Sequence, residues 1–393
     1  MSYFWWITSV VLGIAWLSRA LDAALGAHNI KDISKPEWDR RPELDHAHAP
    51  FLSVIVPARN EQRHVEAALR SLLALDYPSY EVIAIDDRST DNTGIIMDKL
   101  MGERHPHLRV IHVTDIPPRW LGKTHAMWKA AQQARGDWLL FTDADIMFSP
   151  DSLRRAMAYA EATATDHLVL FPRVVMSHWS ARMMHIFFSM MFVFGHRPWK
   201  VDDPTTKDSI GVGAFNLIRR EVYDAVGTFE VLRMAVVEDL QLGELVKRGG
   251  FKQRCVFGPR LVSFHWEQSA LGIVRNFTKN FFAVLKYSSG RALGAALLLG
   301  FFNLLPFIGV WFAHGWARTG FAAAVFCIAG FYVAITAREK LSPFYFFLHP
   351  VSTVLFMYTV LRSMTLTLWR GGVEWRGTLY ALDELKQSDD LLT

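Results

Sequence analysis

The sequence predicts an α/β fold: a mixed, mostly parallel sheet with helices on both faces, flanked at each end of the chain by apolar helices. Three observations lead there. Between residues 50 and 290, short apolar runs rich in β-branched residues alternate with segments of helical periodicity. The chain is 51% hydrophobic and 13% aromatic, and that excess gathers outside this block, in one run near the start and three after residue 290. Four acids stand at the ends of two strand-like runs, and open α/β sheets bind ligands beyond the carboxyl ends of their strands.

The first element, "YFWWITSVVLGIAWLSRALDAALG" (3–26), is long enough for a bilayer, which needs about 20 residues. Arg19 and Asp22 lie near its end, where they reach the interface. A cleavable signal peptide is the competing reading. No basic residue precedes the apolar run and aromatics crowd its start, so an uncleaved anchor over residues 1–28 is expected.

The central block follows as strands over 51–58, 80–87, 108–114 and "DWLLFTDADI" (137–146), interleaved with helices over 60–75, 90–101, 123–134 and 149–162. Repeated βα units of this length argue for a largely parallel sheet. Asp91 and Asp151 are as readily helix caps as site residues. Asp86 and Asp87 end the second strand, and Asp143 and Asp145 the fourth, so both pairs face one crevice. A buried charge costs several kcal/mol unless paired, and acids at i and i+2 repel unless a cation lies between them. A hard divalent ion, Mg²⁺ or Mn²⁺, with phosphate oxygens completing its shell answers that need.

Three apolar segments follow late, over 292–312, 319–337 and 344–369. The first two are joined by a short loop and read as a helical hairpin. Pro306 and Pro350 should kink or interrupt their segments. Inside the central block, "ARMMHIFFSMMFVFGHRPW" (181–199) is either a buried core helix or an in-plane helix dipping into the bilayer. Segment 276–291, with aromatics beside Lys279, Lys286 and Arg291, is a second interfacial candidate.

The net charge of +4 comes with no long basic run, which argues against a nucleic-acid partner and suits an anionic leaflet. Two cysteines, Cys255 and Cys327, give no disulfide framework and point to a reducing compartment for the central block. Most basic residues lie between the first span and Arg291, which puts that block in the cytoplasm by the positive-inside rule. A full third late span would put Arg370, Arg376 and Lys386 outside, so segment 344–369 is either a full span or a re-entrant or interfacial hairpin.

Five motifs stand in order: "VIVPARNE" (54–61), "IDDRSTDNT" (85–93), "GKTHAMWKAA" (122–131), "LLFTDADI" (139–146) and "VVEDLQLGELVKRGG" (236–250). In this the chain resembles the family-2 glycosyltransferases of the GT-A fold, with its Rossmann-like sheet, over about residues 50–270. The terminal helices are similar in plan to membrane-bound, lipid-glycosylating members: ceramide glucosyltransferases and bacterial hopanoid- and carotenoid-associated glycosyltransferases. The resemblance implies a GT-A domain over 50–266, interfacial helices over 267–291, transmembrane segments over 292–369 and a cytoplasmic tail over 370–393. It implies a nucleotide-sugar donor, with a UDP-sugar expected, and a lipid acceptor at the cytoplasmic face of a bacterial inner membrane.

Carried over by motif, Pro57, Arg59 and Glu61 would line the nucleotide pocket and Asp87 would bind the nucleobase. Lys123 would lie near the donor. Asp143 and Asp145 form the D-x-D, Asp145 as direct metal ligand and Asp143 shared between metal site and donor. Asp239 would be the general base, with Glu238 beside it; without the other motifs this pair would read as helix N-terminal acids stabilised by the dipole. Gly211 and Gly213, with His265 and Trp266, would lie on the acceptor side, the glycines letting backbone approach substrate. One departure stands out. The Q-x-x-R-W of processive synthases is absent from "FHWEQSALGIVRNFTKN" (264–280), which leaves Arg275 and Lys279 either as diphosphate partners or as the polar face of an interfacial helix. The expected activity is inverting, metal-dependent sugar transfer. A processive polysaccharide synthase is disfavoured by that departure and by the few spans, and an inactive membrane scaffold by the retained acids.

Overall fold

The computed structural model describes residues 2–39 and 49–390; Met1 and residues 391–393, at the outer edges of the expected anchor and tail, lie outside the described residues. The chain forms two compact units. One comprises Ile30–Val175, Pro198–Trp266 and the chain from Gln387; the other comprises the chain up to Asn29, Met176–Arg197 and Glu267–Lys386.

The first unit is built on ten strands: β1 (Leu52–Ala58), β2 (Tyr80–Asp87), β3 (Leu108–Val113), β4 (Trp138–Phe141), β5 (Ile146–Phe148), β6 (His167–Phe171), β7 (Arg173–Val175), β8 (Asn216–Arg219), β9 (Gln253–Phe257) and β10 (Val262–His265). Seven form one sheet in the order β3-β2-β1-β4-β8-β6-β9. Only β8 runs against its neighbours, β4 and β6. A small second sheet has the order β5-β10-β7. Alternation along β1 and β2 sends Val54, Val56, Val82 and Ala84 into one core and Ile55, Ile83 and Ile85 into another. The sheet is therefore covered on both faces, which is why these strands read as continuous apolar runs. The first core is closed by helices Val65–Leu73 and Ser152–Ala162, the second by Gly122–Gln133 and Glu238–Arg248.

Residues 137–146, which read as one strand, are interrupted. β4 stops at Phe141, Thr142 donates its hydroxyl to the Ala214 carbonyl at 2.8 Å, and the chain resumes in the other sheet as β5. The interruption lifts Asp143 and Asp145 out of the buried ladder, which has no partner for a carboxylate.

The second unit gathers the apolar helices Ser2–Gly26, Ala317–Glu339 and His349–Arg370 with the pair Ser289–Asn303 and Leu305–Phe312. Three helical stretches, Tyr3–Asn29, Ala317–Glu339 and Pro343–Arg370, are long and apolar enough to cross a membrane. The expected segment 292–312 is bent by 41° between its two helices, with Pro306 in the first turn of the second. Segment 344–369 is not a hairpin. A 3₁₀ turn, Pro343–Leu348, leads into one unbroken helix, His349–Arg370, where Pro350 sits in the first turn and removes no helical hydrogen bond. Helix Trp179–His196 contributes nothing to either sheet core. It packs within this second unit, with Phe187 5.0 Å from Phe356, Phe188 4.7 Å from Phe277, and His185 Nε2 2.9 Å from both Glu339 carboxylate oxygens. Cys255 and Cys327 are both free and buried.

Candidate active site

The parallel pairing of β1 with β2 and β4 brings their carboxyl ends together: Ala58 is opposite Asp86, and Ile55 opposite Phe141. The two acids ending β2 then part in role. Asp86 accepts the Ser89 amide at 3.1 Å and lies 3.2 Å from His112 Nδ1, so it fastens the turn. Asp87, 4% exposed, faces basic groups instead: Arg88 Nε at 2.9 Å and Arg59 Nη1 at 3.9 Å. The start of helix Gly122–Gln133 presses on it, since an added Cβ at Gly122 would lie 2.2 Å from Asp87 Oδ2. A carboxylate beside a helix N-terminus and two guanidinium groups has donors on several sides.

One residue further along the same helix, Lys123 joins two motifs distant in sequence. Its Nζ lies 2.6 Å from Asp143 Oδ1 and 2.6 Å from Glu238 Oε1. Burial opposes the ammonium charge, but Asp143, Glu238 and Asp239 outweigh it and push the Lys123 pKa up. Burial pushes the Glu238 carboxyl up; Lys123 resists and Asp239 adds to the shift. Gly213 faces the same cluster: an added Cβ would lie 2.9 Å from Asp143 Oδ2, 3.5 Å from Asp239 Oδ2 and 3.6 Å from Lys123 Nζ. Gly211 lies flat on the first turn of helix Glu238–Arg248, where an added Cβ would fall 1.8 Å from the Asp239 carbonyl oxygen.

Among the described residues Asp145 has no ion-pair partner, and its carboxyl is pushed up to about 6, first by burial and then by the charges of Asp143 and Glu61. This is an acid short of a cation. Among the described residues no three His, Cys, Asp or Glu side chains cluster as a metal cage. The chain thus offers two carboxylates, and a hard divalent ion there would take its other ligands from a bound phosphate or water. On that chemistry the residues fit the metal.

The structure therefore brings together Lys123, Asp143, Glu238, Asp239 and Gly213, sets Arg59 on Asp87, and sets Glu61 in the field of Asp145. Pro57 is an interior β1 residue opposite Ile85. His265 ends β10 and is exposed, while the Trp266 amide donates to Val175 O at 3.2 Å. Arg275 and Lys279 belong to the unit of apolar helices, where Lys279 Nζ stands 4.5 Å over the Trp375 ring. Asp91 accepts the Thr93 amide at 2.9 Å, and Asp151 pairs with Arg155 Nε at 2.5 Å, so both serve local turns. Sequence reading missed Arg88, which supplies the shorter ion pair on Asp87, and a buried set of His167, Asn216 and Gln253 behind the glycine segment. Adjacency in "DDR" was the one available signal for Arg88.

Residues 53–227 match the family model Glycosyl transferase family 2. The chain is 22% identical over 395 residues to the 4,4'-diaponeurosporenoate glycosyltransferase of Staphylococcus aureus (strain MRSA252), covering 96% of this chain and 99% of the relative. The enzyme of the same description from strain USA300 is likewise 22% identical, over 396 residues and the same shares of both chains. Among solved structures, the mannosyltransferase PcManGT from Pyrobaculum calidifontis, in complex with GDP-Man and Mn²⁺, aligns with a TM-score of 0.52 at 19% identity, covering 93% of this chain and 99% of that one. That likeness establishes the GT-A fold.

Proposed function

Proceeding from a glycosyltransferase with a family-2 domain and a GT-A fold, we propose that this chain moves a sugar from a nucleotide sugar to a membrane lipid, with inversion at the anomeric carbon. The observation that carries this reading is the convergence of Lys123, Asp143, Glu238 and Asp239 beside Gly213, at the carboxyl ends of a parallel sheet in a chain with three helices apolar enough to enter a membrane. The acceptor is of the carotenoid-type lipid class to which the relatives' name points.

In this reading Asp87, fixed by Arg59 and Arg88, binds the nucleobase, that of a UDP-sugar, with Pro57 and Glu61 lining the same pocket. Asp145 with Asp143 would hold Mg²⁺ or Mn²⁺, which supplies positive charge to the departing diphosphate. Asp239 takes the proton of the acceptor hydroxyl as its oxygen attacks the anomeric carbon and the bond to the diphosphate breaks. Buried Glu238, held by Lys123, keeps the start of that helix in place. Gly211, Gly213, His265 and Trp266 form the acceptor side. The chain divides as an anchor over 1–28, a catalytic domain over 50–266, interfacial helices over 267–291, membrane segments over 292–369 and a tail over 370–393, with 176–197 joining the membrane helices. The catalytic domain faces the cytoplasm of a bacterial inner membrane.

The test is transfer of labelled sugar to extracted lipid by the purified protein. Asp239→Asn should lower the rate by about 10²–10⁴, the usual worth of a positioned base. Asp145→Asn should abolish the gain from added Mn²⁺ or Mg²⁺. Undiminished transfer by both variants would refute the mechanism, and single-sugar products exclude a processive synthase.

A further inference from the structure

We propose that Gln253 is a positioning residue of this site, its one amide clamping the glycine segment 210–213 to the helix that carries Glu238 and Asp239. The inference rests on the transfer reaction proposed above and adds a part that touches no substrate.

Gln253 opens β9 and is 1% exposed. Its Oε1 accepts the Ile210 amide at 2.9 Å, and its Nε2 donates to the Gly243 carbonyl at 3.1 Å. A backbone donor on one side and a backbone acceptor on the other fix the orientation of the amide. The second Nε2 hydrogen points to His167 Nδ1 at 2.7 Å. That nitrogen must then accept, so the histidine proton sits on Nε2 and is donated to Asn216 Oδ1. His167 is 0% and Asn216 2% exposed, so the chain of bonds runs through β6, β8 and β9 in the core. Each donor and acceptor of the glutamine amide has a partner.

The clamp matters because the two backbones it joins are already in contact. An added Cβ at Gly243 would lie 2.1 Å from the Ile210 carbonyl oxygen, and one at Gly211 would lie 1.8 Å from the Asp239 carbonyl oxygen. The segment therefore seats on the helix between Asp239 and Gly243 without a side chain intervening. At its far end Gly213 faces the Asp143 and Asp239 carboxylates. A shift of the segment on the helix changes the space around the base while leaving Asp87, on the other half of the sheet, untouched. Gln253 thus tunes the rate of the transfer step more than donor binding.

The experiment uses the full chain in detergent and the Gln253→Met variant, which keeps the side-chain length and loses all three hydrogen bonds. Leu168→Ala, a core truncation in β6 at 0% exposure, controls for lost stability, and both are assayed equally far below their melting points. We expect Gln253→Met to lower kcat for lipid glycosylation by about tenfold or more with the donor KM within about twofold. Amide exchange should accelerate across 209–214 and 238–244 in Gln253→Met and not in Leu168→Ala. Gln253→Asn keeps the amide but cannot span both partners, and gives the same direction should the methionine variant fail to fold. Unchanged exchange in 209–214, or a kcat loss no greater than that of Leu168→Ala, overturns the clamp. If the wild-type chain transfers no sugar, the proposed function fails, and the exchange measurement alone still supports or refutes the clamp.

Discussion

At the scale of single residues, Lys123 is the hinge of the electrostatics. It neutralises Asp143 on one motif and Glu238 on another, each at 2.6 Å. Lys123→Met would leave Glu238, 5% exposed, with Asp239 beside it and no cation. Breaking a buried pair from one side costs about 3–5 kcal/mol, and the partial exposure of Lys123 puts the expected loss near about 3. Thermal unfolding should show that loss, together with transfer reduced at least about tenfold; an unchanged midpoint would show the bridge to be idle. His167 provides a second residue-level prediction. Burial holds its pKa down to about 4, against about 6.5 unfolded, and no charged side chain opposes that shift. The folded state favours the neutral ring, so its contribution is complete above pH 6.5 and is lost as pH falls toward 4. In that window the unfolded chain binds the extra proton, and His167→Gln should flatten the stability slope by up to about 1.4 kcal/mol per pH unit. Equal slopes in urea titrations of both proteins would contradict it. These two residues also mark what the sequence discloses. Acids ending an apolar strand are conspicuous because nothing local pairs them. His167 in "HLVLF" and Gln253 in "QRCVF" look like ordinary strand positions, since their partners lie 10 to 86 residues away on other elements.

At the scale of elements, the site depends on a loop lying directly on a helix. Gly211→Ala places a methyl inside the Asp239 carbonyl, and backbone on both sides leaves nothing flexible to move. The expected cost is about 1–3 kcal/mol, as for other overpacked contacts, with a loss of transfer because the displaced group is the base's own turn. Gly102, at the end of helix Thr93–Gly102, has nothing within 4 Å of an added Cβ, so Gly102→Ala should leave both melting point and transfer near wild type. Equal effects of the two substitutions would separate the glycine segment from the site. Strands β1 to β4 and the helices between them were readable from periodicity, because buried parallel strands leave a continuous apolar signature, whereas β6, β8 and β9 of the same sheet were not read. The break after Phe141 was not, because an apolar run on both sides of "TDAD" hides a change of sheet that depends on Thr142 reaching Ala214, 72 residues on. Helix Trp179–His196 was ambiguous for a like reason: an all-apolar helix reads the same beside a sheet or among membrane helices.

At the scale of the molecule, the helix contacts choose among topologies that hydropathy leaves open. Trp5 packs on Phe321 with ring centroids 5.8 Å apart, and Trp16 on Phe331 at 6.0 Å. The numbers rise together, so Ser2–Gly26 and Ala317–Glu339 run in the same direction. The first helix ends at Gly26, so Glu339 lies at that same end of the helix pair and residues 313–316 at the other. Helix Trp179–His196 agrees with this, touching Arg19 through Phe194 at 4.8 Å and Glu339 through His185. The bent pair over 289–312 then crosses. The last helix starts after Glu339, and its later turns return to the same end of the helix unit. Ser363 Oγ donates to Thr278 O and accepts the Phe282 amide at 2.9 Å, both residues preceding the crossing at Ser289. Pro343–Arg370 is long enough to span, yet these contacts predict that both its ends lie at the Glu339 end, which would keep Arg338, Lys340, Arg370, Arg376 and Lys386 together as the positive-inside rule prefers. Single cysteines at His314, Ser342 and Asp383, in a chain lacking Cys255 and Cys327, test this with a membrane-impermeant maleimide. Ser342→Cys and Asp383→Cys should label from one and the same side and His314→Cys from the opposite side. Labelling of Asp383→Cys together with His314→Cys would mean that the last helix crosses, and the topology argued from these contacts would be wrong.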